Sequence, residues 1–174
     1  MKIAVIGAGT AGRTFALRCA VAGFDVVLED VMPNKLRRAQ DEYAELAADA
    51  SGSLRFAATV EDAVQDADIA IDFVPDELES KLEIFSLLDR MAPPRTLLCT
   101  PTNALSLTDL ASCTYRAGKC VGLRGDLSTC HIEVLRSRFS EPEAPASVAR
   151  MLTALGIATT LVDDVEEPML VKNL

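Results

Sequence analysis

Apolar positions open the chain as a block rather than an alternation. "KIAVI", residues 2–6, is a short run ending in glycines, as a strand buried on both faces should be. The next segment, "TAGRTFALRCAVAG", carries Phe15, Ala16, Cys19 and Ala20 at helical spacing and stops at Gly23, a suitable C′ glycine. "DVVLED" then reads as a second strand. The opening is predicted as strand, glycine turn, helix, strand.

The same reading extends to the end of the chain. "PNKLRRAQDEYAELAADASG" starts with Pro33 and Asn34 and repeats Leu36, Ala39, Tyr43 and Leu46 at helical spacing; it predicts a crossover helix with a solvated charged face, ending near Gly52. "LRFAATV" suits a third strand, "VEDAVQDA" a short helix capped near Thr59, and "DIAIDFV" a fourth strand. "DELESKLEIFSLLDRMA" is an amphipathic helix closed by Pro93 and Pro94, and "RTLLCTP" a fifth strand stopped by Pro101. "SLTDLASC" begins with Ser106 and has Asp109 three positions on, an approximate capping box. "CVGLRG" and "HIEVLRS" read as two further strands, "EAPASVARMLTALG" as a helix and "ATTLVDD" as a last strand. Strands alternating with helices over short connections predict an α/β fold, a doubly wound, mostly parallel sheet with helices on both faces. Ligands of such sheets bind outside the carboxyl ends of the strands.

Composition narrows the partners. The 174 residues are the length of one domain, so 1–174 is expected to form a single one. With 49% hydrophobic and 25% charged residues and no low-complexity run, the chain reads as globular. A net charge of -9 with scattered Lys and Arg argues against a nucleic-acid partner. The apolar N-terminus is too short to span a bilayer and runs straight into a glycine turn; no membrane association and a cytoplasmic location are expected. Cys19, Cys99, Cys113, Cys120 and Cys130 are odd in number and irregular in spacing, which fits reduced thiols. Cys113, Cys120, Cys130 and His131 lack the C-x-x-C pair of a zinc knuckle, so no metal is expected.

The chemistry enters with "IGAGTAG". Gly7, Gly9 and Gly12 form G-x-G-x-x-G directly after an apolar strand and at the start of a helix, with Thr10 and Ala11 between the last two. Gly7 makes the tight turn, Gly9 lets backbone approach a pyrophosphate, and Gly12 allows close helix–strand packing. The helix N-terminus then offers N–H groups to the anion. The second strand ends in Glu29 and Asp30, near the spacing at which a carboxylate meets the adenosine ribose hydroxyls. A carboxylate there repels a 2′-phosphate, and the following "VMPN" has no arginine to receive one. The predicted cofactor is NAD rather than NADP.

Further stretches match in order. "KIAVIGAGTAGRTFALRCAVAGFDVVLEDV", "DADIAIDFVPDELESKLEIFSLLDRMAPPRTLLCTPTNALSLTDLA", "VGL" and "IEV" together closely resemble the NAD-binding domain of the L-3-hydroxyacyl-CoA dehydrogenase family, over nearly the whole chain. The resemblance implies a Rossmann-type domain in which Asp30 binds the adenosine ribose and Val74, Pro75, Asp76 and Lys81 contact the cofactor. Asp76 and Lys81 stand where the family has a Glu and a Lys. By the residues alone, Asp76 could equally cap the helix that begins there, and Lys81 could be a solvated helix lysine.

Family members oxidise the 3-hydroxyl of an acyl-CoA by hydride transfer to NAD, a histidine taking the proton and a glutamate orienting it. The departures fall on that chemistry. Asn103 stands where the family has its substrate-binding serine, and Arg124 where it has the histidine. An asparagine still hydrogen-bonds a substrate oxygen, but an arginine stays protonated and is a poor base; it suits binding a carboxylate or polarising a carbonyl. Glu133 lies where the orienting glutamate should, and Asn173, five residues after Pro168, fits the family asparagine although Met169 replaces the usual glycine. His131, on the same strand face as Glu133, is a weaker candidate base.

Two readings follow. One is an NAD-dependent oxidoreductase acting on a 3-hydroxyacyl or related hydroxy-acid substrate, an acyl thioester or an anionic acid, with altered catalytic residues. The other is a non-catalytic NAD(H)-binding sensor or regulatory module that has lost the base. The chain stops at Leu174, short of the family's helical C-terminal domain. A homo-oligomer or a partner chain is expected to replace that domain, with an exposed apolar patch on "PMLVKNL" as its sign, or the 174 residues are a piece of a longer enzyme.

Overall fold

The computed structural model describes residues 1–165. The chain falls into two compact units: Met1–Phe73 with Met91–Thr96, and Val74–Arg90 with the chain from Leu97 onward. Eight strands, mostly parallel and flanked by helices, give the α/β architecture of Rossmann type that the alternation of periods predicts.

In the first unit the elements are β1 (Lys2–Ile6), α1 (Thr10–Val21), β2 (Asp25–Glu29), α2 (Pro33–Leu46), β3 (Ser53–Ala57), α3 (Val60–Val64) and β4 (Ile69–Asp72). The strand order is β3-β2-β1-β4, every pair parallel. Ile3 to Ile6 are all buried, the expected outcome for a central parallel strand with no polar face. Helix α1 buries Phe15, Ala16, Cys19 and Ala20 and ends in a Schellman motif. Phe24 N–H returns to Cys19 C=O at 3.1 Å and Gly23 N–H to Ala20 C=O at 3.2 Å, with Gly23 at φ +101°. The Thr59 hydroxyl caps α3 by accepting from Asp62 N–H at 3.2 Å.

Helix α2 stops at Leu46, six residues short of the predicted Gly52. The reason lies in Gly52 itself, whose N–H donates to Ala20 C=O at 2.9 Å. A Cβ there would stand 2.1 Å from the Phe24 carbonyl oxygen, so this glycine permits a close backbone approach rather than ending a helix.

The second unit contains α4 (Leu78–Met91), β5 (Leu97–Pro101), α5 (Leu107–Ser112), a 3-10 turn at Ala117–Lys119, β6 (Cys120–Arg124), β7 (His131–Arg136), α6 (Glu143–Ala154) and β8 (Ala158–Asp163). Its strand order is β5-β6-β7-β8. Only β6 and β7 are antiparallel. Six residues, 125–130, join them, too few for the dozen or more that a parallel crossover takes, so a hairpin is the available connection. Ser106 caps α5 as its spacing to Asp109 predicts, accepting from Asp109 N–H at 3.2 Å. The core of this unit is built on Phe85, Leu88, Leu98, Leu107, Leu110, Leu123 and Ile132.

Glu29 closes β2 between Ile6 and Ala57 and is only 3% exposed. Burial pushes its carboxyl up to about 7, and the neighbouring Asp30 charge adds to the effect. An acid with a raised native pKa binds its proton more tightly folded than unfolded. Its stabilising effect is full below the unfolded value near 4.5 and is lost as pH rises to about 7. Urea unfolding should therefore show stability falling by on the order of 2–3 kcal/mol between pH 5 and 8, and Glu29→Gln should flatten that slope. An identical slope in the variant would remove Glu29 as its cause.

Candidate functional site

In the first unit the glycine turn divides its work among three positions. Gly7 adopts φ +99° and donates its N–H to the Glu29 carbonyl at 2.8 Å, so the turn is pinned to the end of β2. At Gly12 a Cβ would stand 2.0 Å from the Gly7 carbonyl oxygen, which leaves room for no other residue. Gly9 faces open space: a Cβ there would meet nothing within 4 Å. The N-terminal turn of the twelve-residue α1 begins at once with Thr10 and Ala11, both exposed. An uncrowded glycine backing onto a helix N-terminus fits a pyrophosphate group.

Asp30 follows β2 and is 6% exposed. Its Oδ2 accepts from Ala8 N–H at 2.8 Å and from the Lys35 ammonium at 3.2 Å; its Oδ1 accepts from Met32 N–H at 2.9 Å. Burial pushes this carboxyl up, but the Met32 and Ala8 N–H groups and Lys35 outweigh it and hold the pKa below the usual aspartate value. Asp30 is therefore a carboxylate, as ribose recognition requires. Beside it, the buried Arg13 reaches Glu42 at 2.8 Å and the Ala8 carbonyl at 3.5 Å, and Arg38 reaches the same Glu42 at 3.2 Å. None of Lys35, Arg13, Arg38 and Glu42 was singled out from the sequence. The lysine stands one position beyond the "VMPN" window, and Arg13 and Glu42 are 29 residues apart.

In the second unit the residues ahead of and within α4 hold the end of β5. Asp76 is exposed and accepts from the Thr102 hydroxyl at 2.5 Å and from Asn103 N–H at 2.8 Å; its carboxylate serves this loop instead of capping α4. Lys81 is 1% exposed, so it is no solvated helix lysine. Its Nζ donates to the Pro101 carbonyl at 2.8 Å. Val74 is half-buried and Pro75 exposed, both just ahead of Asp76.

The strand ends bring three of the sequence candidates into one cluster. Arg124 and Glu133 are register partners on β6 and β7, with Nη1 and Oε2 at 3.9 Å. The Asn103 side-chain carbonyl accepts from Gly125 N–H at 3.0 Å, and Gly125 adopts φ +117° at the head of the hairpin loop. His131 is exposed and its Nε2 lies 2.9 Å from the Thr160 hydroxyl, a partner on β8 rather than Glu133 or Arg124. Asn173, Pro168, Met169 and the "PMLVKNL" tail lie outside the described residues. At the opposite end of β7 a cavity of about 270 Å³ is lined by Ser106, Asp109, Arg136, Arg138 and Asp164, none of them predicted as a site residue. There the Asp164 carboxylate accepts from the Ser106 hydroxyl at 2.9 Å and Thr108 N–H at 2.7 Å at the start of α5.

All five cysteines are free thiols, with Cys19, Cys99 and Cys120 buried. Among the described residues no group of three His, Cys, Asp or Glu side chains could hold a metal ion. No helix among them is long and apolar enough to cross a membrane.

Residues 2–165 match the family described as the 3-hydroxyacyl-CoA dehydrogenase NAD binding domain. The chain is 28% identical over 176 residues to the 5-formyl-3-hydroxy-2-methylpyridine 4-carboxylate 5-dehydrogenase of Mesorhizobium japonicum, covering 92% of this chain and 57% of that protein. It is 30% identical over 183 residues to the probable 3-hydroxybutyryl-CoA dehydrogenase of Bacillus subtilis, covering 94% and 62%. A crystal structure of the pyridine-carboxylate 5-dehydrogenase, described as an NAD+ dependent dismutase, aligns with a TM-score of 0.82 at 27% identity, over 99% of this chain and 60% of that one. The chain spans about three fifths of the length of these relatives.

The glycine geometry separates two substitutions. Gly9→Ala adds a methyl group to open space, so thermal stability should stay within about 1 kcal/mol while NAD affinity drops at least about tenfold. Gly12→Ala forces the turn apart and should cost on the order of 1–3 kcal/mol as well as cofactor binding. Melting curves with and without NAD check both, and a Gly9→Ala protein that binds NAD normally would refute the pyrophosphate assignment.

Proposed function

The chain belongs to the family of 3-hydroxyacyl-CoA dehydrogenase NAD-binding domains, and from that premise we propose that it serves hydride transfer between NAD and an anionic hydroxy-acid or 3-hydroxyacyl substrate. The observation that carries the substrate class is Arg124, a permanent cation with only a loose partner at 3.9 Å, in the position where the family resemblance expects a base. NAD, when bound, supplies the hydride acceptor. Gly9, Thr10, Ala11 and Asp30 hold its adenosine and pyrophosphate half, and Val74, Pro75, Asp76 and Lys81 are assigned to the remainder.

On the substrate side Arg124 binds a carboxylate or polarises a carbonyl oxygen, because a guanidinium donates hydrogen bonds but gives up no proton near neutral pH. Asn103 offers its amide NH2 to a substrate oxygen while its carbonyl is held by Gly125. Glu133, which stands where the family resemblance has its orienting glutamate, is assigned the hydroxyl proton, with His131 the weaker candidate; Asn173 completes the set by resemblance. The Mesorhizobium relative is named for a substrate carrying a carboxylate, which accords with an arginine that receives one. The protein is assigned to the cytoplasm, as a homo-oligomer or with a partner chain.

The second reading, a non-catalytic NAD(H) sensor, is favoured by the same arginine, since a guanidinium at position 124 cannot serve as the base that the family resemblance expects there. An NADH-linked assay over 3-hydroxyacyl-CoA and short hydroxy-acid substrates decides between them. We expect turnover with an anionic substrate, and a loss of about tenfold or more in kcat/KM, mostly through KM, in Arg124→Ala, with NAD affinity unchanged. Tight NAD binding with no turnover on any member of the panel would leave the sensor reading standing alone.

A further inference from the structure

Three donors hold the Asp30 carboxylate, and their count sets what a ribose can do there. Oδ2 is filled by Ala8 N–H and Lys35 Nζ, and Oδ1 takes Met32 N–H. A carboxylate has about four lone-pair positions, so one acceptor position is left, on Oδ1. Gripping two neighbouring hydroxyls takes two. Ala8 and Met32 donate from the backbone, which the turn and the start of α2 fix in place. Lys35 donates from a side chain that is 46% exposed, and it is the donor that can yield.

Where Lys35 goes is constrained by its stem. It sits in the first turn of α2, its own N–H bonded to the Met32 carbonyl at 3.1 Å, so an ammonium that leaves Asp30 stays beside the ribose. The surrounding charges do not oppose an added anion. Glu42 is held by two guanidiniums, Arg13 and Arg38, which overcome its burial and keep its carboxyl below the usual glutamate value. Joined to the Asp30 site through the Ala8 carbonyl that Arg13 reaches, this cluster brings the local charges to two negative, Asp30 and Glu42, and three positive, Lys35, Arg13 and Arg38, beside Glu29, whose burial favours its neutral form.

We propose that Lys35 is the residue that sets discrimination between NAD and NADP: it cedes its place on Asp30 to the ribose hydroxyls of NAD and offsets the Asp30 charge when the 2′-hydroxyl carries a phosphate. The assignment rests on the NAD reading of this unit and adds a tolerance for NADP that Asp30 alone would not give. NAD remains the tighter ligand, because it keeps both hydroxyls on the carboxylate.

The test is calorimetric titration of the chain with NAD and with NADP, for the wild type, Lys35→Met and Lys35→Arg, with a melting curve for each. Lys35→Met removes a competitor for Asp30 and a counter-ion for the phosphate. NAD should bind about two- to fivefold more tightly and NADP about tenfold more weakly, widening the ratio of the two Kd values about twentyfold or more. Lys35→Arg should keep the wild-type ratio within about threefold. Raising salt should weaken NADP binding more in the wild type than in Lys35→Met. A Lys35→Met protein that melts normally and keeps the wild-type Kd ratio overturns the role of Lys35 while leaving the NAD reading intact. A wild-type chain that binds neither nucleotide overturns both.

Discussion

A volume that no side chain can occupy governs the first unit. The Cα of Gly12 lies so close to the Gly7 carbonyl that a methyl group would sit 2.0 Å from its oxygen, and this fixes the direction in which α1 leaves β1. The consequences run outward in order. The helix lays Phe15, Ala16, Cys19 and Ala20 into the core, the turn aims Ala8 N–H at Asp30, and the carboxylate so oriented collects Met32 and Lys35 from the start of α2. One close backbone contact thereby positions the acid to which the ribose is assigned, so the geometry of the proposed site comes from the same constraint that packs the fold.

The second unit solves a different problem, the anchoring of a strand end. Burying an ammonium is costly unless its hydrogen bonds are met, and Lys81 meets them partly at the Pro101 carbonyl, where β5 ends. Asp76 then takes the next two donors along the chain, the Thr102 hydroxyl and Asn103 N–H. Asn103 in turn receives Gly125 N–H from the hairpin loop. Strand end, loop and hairpin are joined by a relay of single hydrogen bonds, each from a residue type that a hydropathy pattern counts only as polar. Two of those residues, Asp76 and Lys81, are the ones the family resemblance implies contact the cofactor.

What could be read in the sequence follows from which forces leave a linear trace. Strand and helix alternation did, because "KIAVI" and the Phe15–Ala20 face carry their periods openly, and the Thr59 and Ser106 caps follow a three-residue rule. Gly52 misled because a glycine that relieves a close backbone approach looks the same in sequence as one that ends a helix. Lys35 leaves no such trace, because the four residues after Asp30 hold no cation and the one that reaches the carboxylate is a lysine one position on. Lys81 was ambiguous because its burial depends on a carbonyl 20 residues away. The Arg13–Glu42 pair has no local signature at all.

Arg124 and Glu133 admit a plain explanation as a cross-strand charge pair on the β6–β7 hairpin. Magnitude argues against stability as the reason for it. At 3.9 Å between part-exposed side chains such a pair contributes at most about 1 kcal/mol. A loose pair has another property: an incoming carboxylate replaces one weak partner of the guanidinium with a bidentate one, at little cost in broken contacts. On the proposed reading, a permanent cation stands where the family resemblance expects a titratable base, and its part is to hold an anion rather than to move a proton.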